Sequence, residues 1–299
     1  MATRAVRVRK SQNQEDLKNH REHCSADAHA LSAMGITVCQ QVRVKRSDTE
    51  YALYTVSEVR HEDTDDVVRM GQAGRQRLGT DTDAEFDAEF DSQVVDPTMS
   101  EKKAKENGEF IERLHDDGAH TGLIVIAPHG GQIEGHTDDQ ADHVASSLAD
   151  KAVTFWVCKG YRGPLPSAFD AWHITAADIH PGSFPLLNSV FSRRFSDAVA
   201  FHGLETDADD ADVLVGGGMA SPDLKEQIAS EITNKVAGIS VRVAGPDDLF
   251  NGDDPCNIVN RLTIGGRNGV QIEQSASARD SHWDDIAEAV ANVYRSRML

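Results

Sequence analysis

Hydrophobic residues follow an alternating pattern from about residue 105 to the end of the chain. Short apolar runs are typical of buried strands, and amphipathic stretches between them are typical of helices. The runs are GLIVIAP, AVTFWVC, DAVAFHG, DVLVGGG, ISVRVAG and GVQIEQS, and the stretches are TDDQADHVASSLAD, PLLNSVFSRRF, SPDLKEQIASEITNKV and DSHWDDIAEAVANVYRSRM. This alternation predicts an α/β domain: a three-layer, open, mixed and mostly parallel sheet with helices on both faces.

The first hundred residues follow a different pattern. Residues 1–34 are polar without strong periodicity, which predicts a polar arm, with a helix or a disordered segment as the alternatives. The β-like segments ITVCQQVRV, EYALYTVSEVR and DDVVRM predict a small β-rich module over residues 35–80. Residues 81–101 contain eight acidic residues and no Lys or Arg, which indicates an acidic linker. The α/β domain then occupies residues 102–299 and opens with a predicted helix that ends at Gly118.

The net charge of the chain indicates which kinds of partner and which salt environment to expect. The 299 residues include 30 Lys and Arg against 49 Asp and Glu, for a net charge of −19. Such acidity keeps a protein hydrated in concentrated salt, where the Debye length falls to about 3 Å, so we expect a high-salt organism or its virus as the source; an ordinary acidic protein is the alternative. A nucleic-acid partner is not expected, because nucleic-acid binding needs a basic face.

Apolar runs are too short to predict a membrane span, since none reaches 18 residues. The first thirty residues have no apolar core of a secretory signal, so we expect no signal peptide and a cytoplasmic or virion-associated location.

Polar side chains follow three of the predicted strands. His129 and Glu134 come after GLIVIAP, His202 ends the strand DAVAFHG, and Glu273 lies near the end of GVQIEQS. Ligands of open α/β sheets bind at the carboxyl ends of the strands. Two imidazoles with one carboxylate suit Zn²⁺, and a further carboxylate can act as general base. The alternative is a histidine that caps a strand end and a glutamate solvated in a turn.

The order of several motifs carries a resemblance. APHGGQIEGHT, WHITAADIHP, VAFHG, DVLVGGG, NIVNR and GVQIEQS resemble the phage-type poly-γ-glutamate hydrolase family, which is similar in fold to zinc carboxypeptidases. The resemblance covers about residues 105–299 and leaves residues 1–80 unexplained. It implies Zn²⁺ held by three residues: His129, Glu134 and His202. It also places Glu273 where that fold has its catalytic carboxylate.

An anionic substrate would need cationic and polar partners. Arg261 in NIVNR is the candidate to stabilise the oxyanion or to bind the α-carboxylate of a γ-linked glutamate, and Asn260 lies beside it. His173 in the HIT motif and Arg162 after AVTFWVC are further substrate-binding candidates. The alternatives are surface arginines and a core histidine beside Trp172.

Two functions of different classes follow. The first is a zinc-dependent amidohydrolase that cleaves γ-glutamyl amide bonds of a poly-γ-glutamate-like polymer with metal-activated water. The second is a structural virion or tail component, active or inactive, whose residues 1–80 contact other virion proteins and whose α/β domain binds a host surface or degrades a capsule. A weaker third is a carboxypeptidase or deacylase of small molecules.

Overall fold

The computed structural model describes residues 3–11, 17, 20–61, 66–80, 85–162, 167–204 and 211–298. The chain forms two compact units. The barrel unit comprises Met1–Ile111 and Tyr161–Pro185, and the sheet unit comprises Glu112–Gly160 and Leu186–Leu299. The segment Tyr161–Pro185, which the sequence predicts within the α/β domain, therefore groups with the N-terminal residues.

Thirteen strands and nine α-helices lie within the described residues. The strands are β1 Thr3–Lys10, β2 His23–Asp27, β3 Gln41–Ser47, β4 Glu50–Arg60, β5 Val67–Met70, β6 Phe86–Asp91, β7 Phe110–His115, β8 Leu123–Gly131, β9 Thr154–Gly160, β10 Asp197–Gly203, β11 Val213–Gly216, β12 Val241–Val243 and β13 Gly269–Gln274. The helices are α1 Ala28–Met34, α2 Gln72–Gln76, α3 Glu101–Asn107, α4 Thr137–Ser147, α5 Ala168–Trp172, α6 Pro185–Phe191, α7 Pro222–Lys235, α8 Ile258–Arg261 and α9 Ala276–Arg297.

The barrel unit contains a closed six-stranded barrel in the order β1-β5-β2-β4-β3-β6. Alternate residues point inward, so Val6 and Val8 of β1 join one hydrophobic core with Tyr54 and Phe90. Three of the six strands lie outside the predicted module of residues 35–80.

The predicted arm and the predicted acidic linker are both wrong for the residues that form β1, β2 and β6, because these strands belong to the barrel. Strand β1 pairs antiparallel with β6, and Arg7 lies opposite Asp87 with 2.9 Å between Nη1 and Oδ1. The basic head and the acidic segment are therefore partner strands with complementary charge. Residues 1–2, 12–16 and 18–19 of the arm and 81–84 of the linker lie outside the described residues.

The sheet unit is built on a seven-stranded sheet in the order β12-β11-β13-β10-β8-β9-β7. Strands β13, β10, β8 and β9 run parallel, and β11 joins β13 antiparallel. Helices α4, α7 and α9 share one hydrophobic core with these strands. The three-layer arrangement, with helices on the opposite face as well, stays a prediction.

The helix predicted to end at Gly118 is wrong beyond Asn107, because strand β7 begins at Phe110. Three successive residues from Phe110 to Glu112 are buried, which a one-sided surface helix does not allow. No described helix is both long and apolar enough to cross a membrane.

Candidate metal and catalytic site

The loop after β8 brings His129 and Glu134 to the same place. The backbone N–H of Glu134 donates to the carbonyl of His129 over 2.8 Å, which closes the loop on itself. Gly130 allows this path, because a Cβ there would lie 2.5 Å from Cβ of Asp138 and 2.8 Å from the carbonyl oxygen of Cys158. The Asp138 carboxylate accepts from Gly131 N and pairs with Lys159 Nζ at 2.8 Å each, so it anchors the loop to β9.

The parallel strands β10 and β13 place His202 beside Glu273. These two residues are register partners at the carboxyl ends of their strands. Their neighbours Phe201 and Ile272 lie in the hydrophobic core, so His202 and Glu273 point to the other face of the sheet. Both are almost fully buried, with 3% and 5% exposure.

Three side chains converge at the carboxyl end of β8 and β10. Nδ1 of His129 lies 3.1 Å from Oε1 of Glu134 and 3.2 Å from Nδ1 of His202. Nδ1 of His202 lies 3.8 Å from Oε2 of Glu134, and the N–H of Gly203 donates to that oxygen over 2.9 Å. The structure therefore brings together the three residues that the sequence predicted as ligands.

The donor set fits a zinc ion. Zn²⁺ bound tetrahedrally at 2.0–2.1 Å holds its ligand atoms about 3.4 Å apart. The two Nδ1 atoms lie 3.2 Å apart, and the imidazoles approach the Glu134 carboxylate through different oxygens, His129 at 3.1 Å from Oε1 and His202 at 3.8 Å from Oε2, all near that value. His129 and His202 would then bind through Nδ1, and the Glu134 carboxylate would supply the negative ligand.

A chain of amide side chains holds Glu273. Gln271 Nε2 donates to Glu273 Oε1 over 2.6 Å, and Asn257 Nδ2 donates to Gln271 Oε1 over 2.6 Å. Gln271 precedes Glu273 by two residues and points to the same face of β13. Asn257 lies in the NIVNR motif but is not among the residues predicted from the sequence, because nothing local distinguishes it from Asn260.

Arg261 and Asn260 do not join this cluster. The guanidinium of Arg261 lies over the ring of Phe191, with 5.1 Å from Cζ to the centroid. The next residue, Leu262, accepts from the N–H of Phe195, which precedes β10, whereas His202 lies at the other end of that strand, about 20 Å along at about 3.3 Å per residue. The prediction that Arg261 acts at the reacting centre is not supported, because α8 carries it toward the amino end of β10.

Asn260 supports a loop. It is buried, and its Nδ2 donates to the carbonyls of Gly252 and Asp254 over 2.9 Å each. Its side-chain amide group is therefore committed to the backbone of residues 252–254 and is not presented to a substrate.

Arg162 and His173 belong to the barrel unit. The guanidinium of Arg162 stacks on Tyr51, with 3.8 Å between Cζ and the ring centroid. Nδ1 of His173 lies 2.7 Å from Oε1 of Glu22, and its ring stacks on Phe169. The substrate-binding role of both residues stays a prediction.

The carboxyl ends of the parallel strands β8, β10 and β13 bring together two imidazoles and two carboxylates, a set of residues that could hold a metal ion in a hydrolase site. Comparison with known proteins gives the family. A family model described as poly-gamma-glutamate hydrolase matches residues 98–296. The chain belongs to the poly-gamma-glutamate hydrolase family, as the motif resemblance predicted.

Two relatives are informative. The solved structure of a bacteriophage poly-gamma-glutamate hydrolase is 27% identical, covers 66% of this chain and 95% of its own, and has a TM-score of 0.50. The SPbeta prophage-derived UPF0714 protein YoqZ of Bacillus subtilis (strain 168) is 25% identical over 178 residues, which are 59% of this chain. The matched region spans 57% of that relative's length.

Proposed function

We propose that this protein is a zinc-dependent amidohydrolase that cleaves γ-glutamyl amide bonds in an anionic poly-γ-glutamate-like polymer. The observation that carries the proposal is the convergence of His129 Nδ1, His202 Nδ1 and the Glu134 carboxylate within 3.1–3.8 Å. Family membership supports the reaction class, and the 27% identical bacteriophage hydrolase supports the choice of polymer.

His129, Glu134 and His202 would hold the zinc ion. A bound zinc ion lowers the pKa of water from about 15.7 toward 7 and polarises a carbonyl group. With three protein ligands the ion would remain accessible to water or substrate, as in catalytic zinc sites.

Glu273 would move the proton. Its carboxylate lies beside His202 in register, and Gln271 fixes one of its oxygens. It would accept a proton from the attacking water as the new C–O bond forms and donate it to the amine nitrogen as the C–N bond breaks. The Asn257–Gln271–Glu273 chain keeps the carboxylate oriented, because each amide donates to the next acceptor.

Poly-γ-glutamate is the test substrate, and release of new amino groups is the measurement. Zinc-loaded protein should shorten the polymer, a chelator should stop it, and Glu273→Gln should lower kcat about 10²–10⁴-fold, the range for loss of a general base. Glu288→Gln, an isosteric change on α9 where the carboxylate pairs with His143, is the control and should keep full activity. Activity that persists under chelation or in Glu273→Gln contradicts the proposal.

A second candidate is a virion or tail component. Both relatives come from a bacteriophage or a prophage, and the family match begins at residue 98, after the six barrel strands. In this role the barrel unit would bind other virion proteins while the sheet unit binds or degrades a capsule. Co-sedimentation with assembled particles that is lost when surface residues of β1 and β6 are changed would support it.

A further inference from the structure

Arg279 is a buried cation in the first turn of α9, immediately after β13. It is only 9% exposed, and burial lowers the pKa of its guanidinium, while the carboxylates of Glu134, Asp280 and Glu273 oppose that shift. Among the described residues, no carboxylate oxygen lies within 4.0 Å of it as an ion pair. Burying a charged arginine without an ion-pair partner is costly, so other interactions must compensate for its burial.

Its hydrogen bonds go to two main-chain carbonyls. Nε donates to the carbonyl of Gly135 over 3.0 Å, and Nη1 donates to the carbonyl of Gln274 over 2.6 Å. Gly135 directly follows Glu134, and Gln274 directly follows Glu273. One rigid, planar group therefore spans the ligand loop and the strand end that carries the candidate base.

The third contact is steric. A Cβ at Gly203 would lie 2.0 Å from Nη1 and 2.5 Å from Cζ of Arg279. The guanidinium thus packs against the backbone of Gly203, which directly follows His202 and whose N–H donates to Glu134 Oε2. Arg279 contacts the residue after each of three site residues.

We propose that Arg279 is a positioning residue that sets the spacing of Glu134, His202 and Glu273 through the backbone that follows each of them. The proposal rests on the proposed function, because the zinc ligands and the general base are what it would position. Outer partners that orient metal ligands typically affect metal affinity or activity 10–100-fold.

The test uses the full-length protein and zinc alone as the probe. Zinc affinity is measured by competition with a chromophoric chelator for the wild type, Arg279→Met, Arg279→Lys and Gly203→Ala. Gly203→Ala keeps the arginine but displaces its guanidinium, because the three nearest atoms to the added methyl group all belong to Arg279. Arg297→Met is the matched control, since Arg297 lies on the same helix and pairs with Asp197 at the opposite end of β10.

Arg279→Met and Gly203→Ala should each weaken zinc binding about 10–100-fold, Arg279→Lys should lose less, and Arg297→Met should bind like the wild type. At saturating zinc, kcat on poly-γ-glutamate should also fall about 10-fold while KM stays within about twofold, because Glu273 is displaced rather than removed. Circular dichroism and thermal melting of the apo-proteins check folding, and Gly203→Ala with Arg279→Lys decides the matter if Arg279→Met does not fold.

Wild-type affinity and kcat in Gly203→Ala and Arg279→Met would overturn the positioning role, and so would an equal loss in Arg297→Met. A wild-type protein that binds no zinc would instead overturn the proposed function itself. The two failures are therefore distinguishable in the same set of measurements.

Discussion

Two buried carboxylates of the sheet unit, Glu134 and Glu112, differ in the groups that surround them. Glu112 is fully buried, and three N–H groups donate to it: Trp156 Nε1 over 2.7 Å, Leu186 N over 2.9 Å and Leu187 N over 2.7 Å. Glu134 faces two imidazole nitrogens at 3.1 and 3.8 Å and accepts one N–H, that of Gly203, over 2.9 Å. The residue type is the same, so the surrounding groups decide the role.

The difference follows from what each neighbour can offer. Indole and backbone N–H groups are donors only, and they make Glu112 a fixed acceptor at the start of α6. Neutral imidazole nitrogens can be acceptors, and a carboxylate among acceptors is stable when a cation joins them. Glu134, with imidazole nitrogens beside it and one N–H donor, is therefore a candidate ligand, whereas Glu112, with three N–H donors, is a structural cap.

Removing the carboxylate from the ligand cluster should have the largest effect. Glu134→Gln replaces one acceptor oxygen by a donor group and removes the negative charge, so zinc affinity should fall more than about 100-fold, beyond the loss typical of an outer partner. Glu112→Gln is the matched control and should keep its zinc affinity. Equal zinc affinity in wild type and Glu134→Gln would show that acceptors around a carboxylate do not define a ligand here.

A third carboxylate, that of Glu22, lies in the barrel unit. The pH dependence of its contribution to stability extends the comparison. Burial alone would raise the pKa of Glu22, but the hydrogen bond and charge of His173, the charge of Arg77 and the N–H of Thr175 lower it from 4.5 to about 2. The ionised Glu22 carboxylate therefore stabilises the folded state above about pH 4.5, and this stabilisation is lost as the pH falls toward 2.

Glu22→Gln should cost the barrel unit about 3 kcal/mol at pH 7, and this difference from the wild type should shrink between pH 4.5 and 2. Urea unfolding followed by the fluorescence of Trp172, which is buried in this unit, measures it. Glu58→Gln on β4 is the control. If the difference in unfolding free energy between the wild type and Glu22→Gln does not change with pH, the donors around Glu22 do not determine how much it stabilises the barrel unit.

Glu112→Gln should destabilise the sheet unit by about 1–3 kcal/mol, because an amide accepts at only one oxygen. Either the N–H of Leu186, or the N–H groups of Trp156 and Leu187 together, would then face another donor. Burial raises the pKa of Glu112. Its contribution should therefore be fully present below about pH 4.5 and decline as the pH rises, opposite in sign to that of Glu22. If the stability losses of Glu112→Gln and Glu22→Gln changed with pH in the same direction, the predicted difference between the two carboxylates would be contradicted.

Added salt should have the smallest effect on stability per residue, and it should act on both units. The net charge of −19 repels itself in dilute buffer, and molar KCl screens it. The melting temperature should rise with KCl, by about 2–4 °C for each kcal/mol of repulsion relieved. Highest stability at low salt would contradict the expectation of a high-salt source.

Local patterns were sufficient to predict most strands and helices of the sheet unit and the three residues that converge, but not strand β7, whose segment has the pattern of a helix. GLIVIAP and DAVAFHG are apolar runs that end in histidine, and parallel strands bring such ends together. The barrel was only partly predictable. The pairing of Arg7 with Asp87 joins residues that are eighty positions apart, so each strand alone had the composition of an arm or a linker.

The supporting residues Arg279 and Asn257 could not be predicted from the sequence, for a related reason. Arg279 contacts the backbone of three separate segments and Asn257 contacts one amide side chain, and no spacing in the chain marks such contacts. Arg261 was a natural choice by charge alone, but charge does not reveal that α8 carries it toward the other end of β10.

Anomalous diffraction at the zinc absorption edge, from crystals of the full-length protein soaked in zinc, tests the central claim most directly. The account predicts a peak bonded to Nδ1 of His129, Nδ1 of His202 and a carboxylate oxygen of Glu134, at about 2.0–2.2 Å from each. Zinc density elsewhere, or no density among these three side chains at saturating zinc, would contradict it.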